Sequence, residues 1–143
     1  MEKELLCRKV SKVDVAMIQL DAAIRANMQN RDIEAITLAG AAEEIFGAMC
    51  RRRGIQNAVE KVSELEVISW NGDDVIKRRL FLNDVRNNLK HANDDADDEF
   101  EVTELDPFFM IVRALANAKL LGVAFSVEME NFFVHHNSNN QLR

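Results

Sequence analysis

Apolar residues recur along this chain at spacings of three and four, and no segment alternates polar and apolar positions for long enough to make a strand. The pattern predicts an all-α fold, a helical bundle of four main helices plus one or two short helices. Leu6, Val10, Val13, Met17, Leu20 and Ile24 form a heptad-like stripe that predicts a first helix over Lys3–Met28. Its length suits a bundle helix or a dimer arm. A second helix is expected over Ile33–Arg52, with Asn30 or Asp32 as its cap and Gly54 as its stop. Leu38, Ala42, Ile45 and Met49 make its apolar stripe. Thr37, Gly40, Glu44 and Gly47 make a second stripe, whose glycines allow another backbone to approach closely.

Asn57 and Glu60 have capping-box spacing, with Asn in place of Ser or Thr, and open a short helix over Ala58–Ile68. Ser69-Trp70-Asn71-Gly72 reads as a turn, with Trp70 as a packing anchor. Asp73 caps a helix over Asp74–Ala92, followed by the acidic loop Asn93–Phe100. Helix restarts at Asp106-Pro107, with Asp as N-cap and Pro at the first helical position, and Gly122 breaks or bends it. A last short helix spans Ser126–His135. One domain over 1–136 and a disordered tail over 137–143 complete the expectation.

Length and composition narrow the class. At 143 residues the chain makes one domain, and 48% hydrophobic with 29% charged residues is ordinary for a soluble globular protein. No apolar run approaches a membrane span. The start, MEKELLCRKV, lacks a signal-peptide pattern, and Cys7 and Cys50 fit no disulfide framework, so a reducing, cytoplasmic location is expected. The net charge of −6 argues against broad non-specific binding to nucleic acid but leaves room for a local basic pocket.

The strongest chemical lead is Arg86-Asn87-Asn88-Leu89-Lys90-His91. It resembles the Rx4–6H motif of HEPN domains, a family of small all-helical proteins. A polar residue directly after the Arg is usual in that family, and Asn87 meets it. The chain also resembles uncharacterised small bacterial proteins in this segment and in Ile36–Ile45. Many HEPN proteins are metal-independent ribonucleases that act as dimers. The resemblance therefore implies a homodimer with RNA as substrate, no cofactor and no metal. It assigns His91 as general acid/base, Arg86 as the group that offsets charge on the phosphorane, and Asn87 as an orienting residue.

The chemistry is coherent. A His titrates near neutral pH and can move the 2′-hydroxyl proton, and an Arg binds phosphate bidentately. Asn87 and His91, four apart, share a helix face. Arg86 and His91, five apart, lie about 140° apart around an ideal helix, so joint action needs a groove, a frayed helix end or a dimer partner. The acidic tract after His91 would repel a phosphate backbone unless directed away.

The same residues carry a structural reading: Lys90 and His91 face the C-terminal end of a helix dipole, and Arg86 belongs to an ion pair. Glu43-Glu44 is a second constellation: Glu44, on the glycine stripe, is expected to be partly buried in an ion pair with Arg86 or Arg113, with a general base as the alternative. Di-iron spacing, an EF-hand loop, a P-loop and the common hydrolase motifs are absent, and Cys50 reads as a buried packing residue. Three functions follow as alternatives: a HEPN-like ribonuclease, a non-catalytic module that binds a protein partner, and a nucleotide- or small-molecule-binding bundle with a pocket at Arg86, His91 and Glu44.

Overall fold

The computed structural model describes residues 3–64, 85–91 and 98–141. Four helices of 15 to 21 residues build an all-α bundle: α1 (Lys12–Met28), α2 (Asp32–Arg52), α5 (Leu105–Leu120) and α6 (Val127–Gln141). A two-turn α3 (Ala58–Glu64) follows α2, and α4 is described at residues 85–88. There is no strand among the described residues. The expected turn at Ser69–Gly72, the anchor Trp70, most of the helix expected over Asp74–Ala92 and most of the acidic loop lie outside the described residues.

α2 is the central element and packs between α1 and α5, while α6 lies against α1. Alanines at 16, 23, 39, 42, 114 and 118 line the contacts between helices, all fully buried. Small side chains there let the helix axes approach, and Leu20, Ile24, Phe46, Ile111 and Leu115 fill the space between. Phe132 of α6 closes one end of the core, stacked on Phe108 of α5 with ring centroids 5.7 Å apart.

α1 starts at Lys12, not Lys3. Ser11 takes extended backbone and accepts a hydrogen bond from the Asp14 amide at 3.0 Å, so the helix is capped there. Leu6 and Val10, the first two positions of the expected stripe, are exposed and outside the helix. α2 starts at Asp32, and neither Asn30 nor Asp32 caps it: the cap is Arg31, without a side-chain bond.

Asn30 instead ends α1. It takes the left-handed conformation (φ 58°), its amide bonds the Asn27 carbonyl and the Arg31 amide bonds the Ala26 carbonyl. That is a Schellman end, which satisfies two orphan carbonyls. Gly54 (φ 70°) ends α2 in the same way, with bonds from Gly54 to Arg51 and from Ile55 to Cys50. Gly122 (φ 76°) repeats it for α5, so the break expected at Gly122 is a full stop.

Helix α5 begins at Leu105, which places Pro107 third rather than first. Asp106 does not sit at the N-cap but accepts from the Thr103 amide at 2.7 Å. Ser126 caps α6 by accepting from the Met129 amide and also donates to Asp21 of α1 at 2.6 Å. α6 runs on to Gln141, past its expected end at His135.

Phe46 is the largest fully buried side chain in the core. Its truncation in Phe46→Ala is expected to lower the unfolding free energy by about 3–5 kcal/mol in urea titrations, since it empties the middle of the helix interface.

Candidate functional site

The glycine stripe of α2 is where a fourth helix docks. A Cβ on Gly40 would lie 3.1 Å from Cγ and Cδ of Arg86, so the stem of Arg86 crosses α2 where a side chain is missing. This brings the head of the Arg86 side chain to the carboxylate of Glu43, Nη1 to Oε2 at 2.6 Å. Arg113 of α5 reaches the other oxygen, Nη2 to Oε1 at 3.1 Å. The Glu43 side chain is 5% exposed and that of Arg86 13%. One buried carboxylate is thus held between two guanidiniums from two other helices.

The partners expected for a buried acid are Arg86 and Arg113, as observed, but the acid is Glu43 and not Glu44. Glu43 follows Ala39 by four positions and precedes Phe46 by three, which places it on the most buried face of α2. Glu44 points about 100° away. It is exposed and pairs with Lys90 at 2.7 Å, and that ammonium holds its carboxyl below the ordinary glutamate range.

Further along the same face, Gly47 makes room for Asn117 of α5, whose Nδ2 lies 3.3 Å from where a Cβ would stand. Asn117 is fully buried. It donates to the Glu43 carbonyl at 3.3 Å and accepts from the Ala58 amide at 2.7 Å, so it fastens the start of α3 to α2 and α5. Asn57 completes that start: it accepts from the Glu60 amide at 3.0 Å and donates to the Glu60 carboxylate at 3.1 Å, the capping arrangement read from the sequence. The Cys50 thiol contacts the Asn117 carbonyl at 3.7 Å, and burial pushes its pKa up, as suits a packing residue rather than a nucleophile. Burial also pulls the Arg113 guanidinium down, opposed by Glu43.

The three residues assigned to catalysis differ in exposure. α4 closes on a bond from the His91 amide to the Asn87 carbonyl. Arg86 faces α2 and the buried carboxylate, whereas Asn87 and His91 are exposed. A cavity of about 210 Å³ lies beside Arg86, and its walls include Glu43, Glu44, Arg51, Asn57 and Arg113 but neither Asn87 nor His91. Among the described residues three arginines and three glutamates line it, so their formal charges balance. It is smaller than the roughly 300 Å³ at which small-molecule pockets begin. Among the described residues no group of three His, Cys, Asp or Glu side chains is placed to hold a metal ion, and no helix is long and apolar enough to cross a membrane.

The pair Glu43-Glu44 is visible in the sequence, but the buried member is Glu43 rather than Glu44, and neither Asn117 nor the passage of the Arg86 stem over Gly40 is read there. The signal for Glu43 was the alanine spacing of α2, which runs through 35, 39 and 42 rather than through Leu38 and Ile45. The chain matches no protein-family model, no curated protein and no solved structure.

Removing Arg86 leaves a buried carboxylate with half of its compensation. Arg86→Ala is therefore expected to cost about 3–5 kcal/mol in chemical denaturation, against less than about 1 kcal/mol for the exposed Lys90→Ala. Equal costs would refute the ion-pair account. The small Lys90 contribution carries a pH signature. Because Glu44 has a lowered pKa in the fold, its stabilisation is present above the ordinary glutamate pKa and lost as pH falls through the lowered value. Stability curves of wild type and Lys90→Ala should converge in acid.

Proposed function

We propose that this chain is a non-catalytic helical interaction module, acting as a homodimer in the cytoplasm, in which Arg86 is a structural cation. The observation that carries this reading is the 2.6 Å bond from Arg86 to the buried Glu43 carboxylate. Catalysis on RNA needs a guanidinium free to bind a phosphate bidentately. Here that guanidinium is committed to an internal anion, and releasing it would leave the Glu43 charge with Arg113 alone. Large apolar side chains exposed on the outer surface, among them Ile18, Met28, Leu105, Phe109, Phe133 and Val134, supply contact area for a protein partner. Two free thiols support a reducing setting.

The HEPN-like ribonuclease is the second reading. It is favoured by the exposure of Asn87 and His91 on the turn that carries Arg86. It requires RNA to draw Arg86 away from Glu43, and the balanced charge of the neighbouring cavity gives a phosphate little reason to enter.

His91→Ala and Asn87→Ala alter exposed positions and leave the ion pair intact, so they test catalysis without testing folding. Purified wild type in EDTA is expected to leave structured and single-stranded RNAs uncut, as are both variants. Cleavage by wild type that disappears in His91→Ala would overturn the module reading and establish the ribonuclease.

A further inference from the structure

The segment before α1 is the least buried apolar stretch described. Leu5 is 90% exposed and Leu6 102%, and residues 3–10 form no helix. The same stretch is basic, with Lys3, Arg8 and Lys9 against Glu4. At the opposite end of α1 lies a groove of about 940 Å³ between α1, α5 and α6. Its apolar walls include Ile24, Met28, Leu105 and Val127. Among the described residues its charged walls are Asp32, Glu104 and Glu128 against Arg25, with His135 beside them. Arg25 pairs with Glu128 at 3.4 Å, which leaves Asp32 and Glu104 as the groove's acidic excess. An apolar, basic arm and a half-apolar, acidic groove are complementary in both respects.

α1 supplies the geometry that joins them. Asp14, Ile18 and Arg25 fall within about 40° of one another around the helix and are all exposed, Ile18 at 66%. Two copies of α1 packed antiparallel along this stripe would set Asp14 of each beside Arg25 of the other, whose exposed guanidinium also pairs with Glu128 of its own chain at 3.4 Å, with Ile18 near the centre. Such a contact is self-complementary, as a two-fold dimer requires. In that register Lys12 of one copy lies beside Asn27 of the other, and Asn27 lines the groove. The arm then leaves its own helix next to the second copy's groove. Leu6, six residues before Lys12, reaches up to about 20 Å when extended. Docking into its own groove would instead need a reversal at the Ser11 cap and a run back along most of α1, which is about 25 Å long.

We infer that two copies of this chain pair through the exposed stripe of α1 and exchange their N-terminal arms, Leu5 and Leu6 of each entering the α1–α5–α6 groove of the other. The inference rests on the interaction-module reading and names its partner.

Cys7, exposed and next to Leu6, provides a native probe. In the full-length chain, Val127→Cys places a second thiol in the groove. Mild oxidation is expected to give a disulfide-linked dimer on a non-reducing gel, at least about tenfold faster than in wild type and not at all when Cys7→Ser is added. Leu5→Ser with Leu6→Ser should raise the dimer dissociation constant measured by sedimentation at least about tenfold, which is the loss of about 1.4 kcal/mol. Met28→Lys in the groove should do the same. All these positions are exposed, so far-UV circular dichroism and thermal unfolding monitor the fold separately. A cross-link formed within one chain, a dimer indifferent to the leucines, or a monomer at every concentration sampled would overturn arm exchange. A monomer would also remove the homodimer from the proposed function, but none of those outcomes touches its non-catalytic part, which the RNA assay decides, or the structural role of Arg86, which the Arg86→Ala denaturation decides.

Discussion

The carboxylate of Glu43 sets the terms for the rest of this structure. A negative charge on the inner face of α2 cannot stay there alone, because its desolvation would cost several kcal/mol. It is stable only if cations from other helices reach it, and Arg113 and Arg86 do so from α5 and α4. The pairing therefore ties together three segments far apart in sequence. It also explains the glycine at position 40: the stem of Arg86 must pass close over α2 to deliver its head group, and a methyl group there would stand 3.1 Å from two of its carbons. Asn117 extends the same logic one turn along, joining α2, α5 and the start of α3 through a fully buried amide that needs Gly47 beside it.

Around this polar seam the bundle is held by ordinary means. Alanine contacts let α1, α2 and α5 close on one another, and each of these three helices stops with a left-handed residue that satisfies its last carbonyls. Two of the three stops are glycine and one is asparagine, the residue that best tolerates that conformation after glycine. The sharp ends matter because the connections are short. α1 gives way to α2 across three residues, and the direction in which α2 leaves is fixed by Asn30 rather than by a cap on α2 itself.

Much of this was legible in the sequence, and the rest was not for identifiable reasons. Helical periodicity revealed the all-α class, and local chemistry revealed the Asn57–Glu60 cap, the stops at Gly54 and Gly122 and the inert burial of Cys50. Local signals fail where a neighbour competes with them. The stripe through Leu6 and Val10 continues the α1 pattern, yet Ser11 followed by Asp14 caps the helix, and a cap overrides an apolar pattern that has nothing to pack against. At Glu43 and Glu44 the difficulty is register. Two adjacent acids differ by about 100° around a helix, and only the face chosen by α1 and α5 decides which one is buried. The identity of the partners was readable because only arginine supplies a fork of donors suited to a buried carboxylate.

The motif around Arg86 shows why residue type alone does not settle chemistry. Arg, Asn and His in six positions are the right groups for moving a proton and holding a phosphate, and they are equally the groups found at the end of a helix docked on an acid. What separates the two uses is the state of the guanidinium. An arginine that serves a transition state must stand ready for charge that appears only during reaction, so it sits in a site with an excess of donors. Arg86 sits where, among the described residues, arginines and glutamates balance, and it donates at 2.6 Å to a charge that is present all the time. Opposite Glu43 this side chain is the peg that holds α4 to α2, and that contact is what supports the structural role proposed for it.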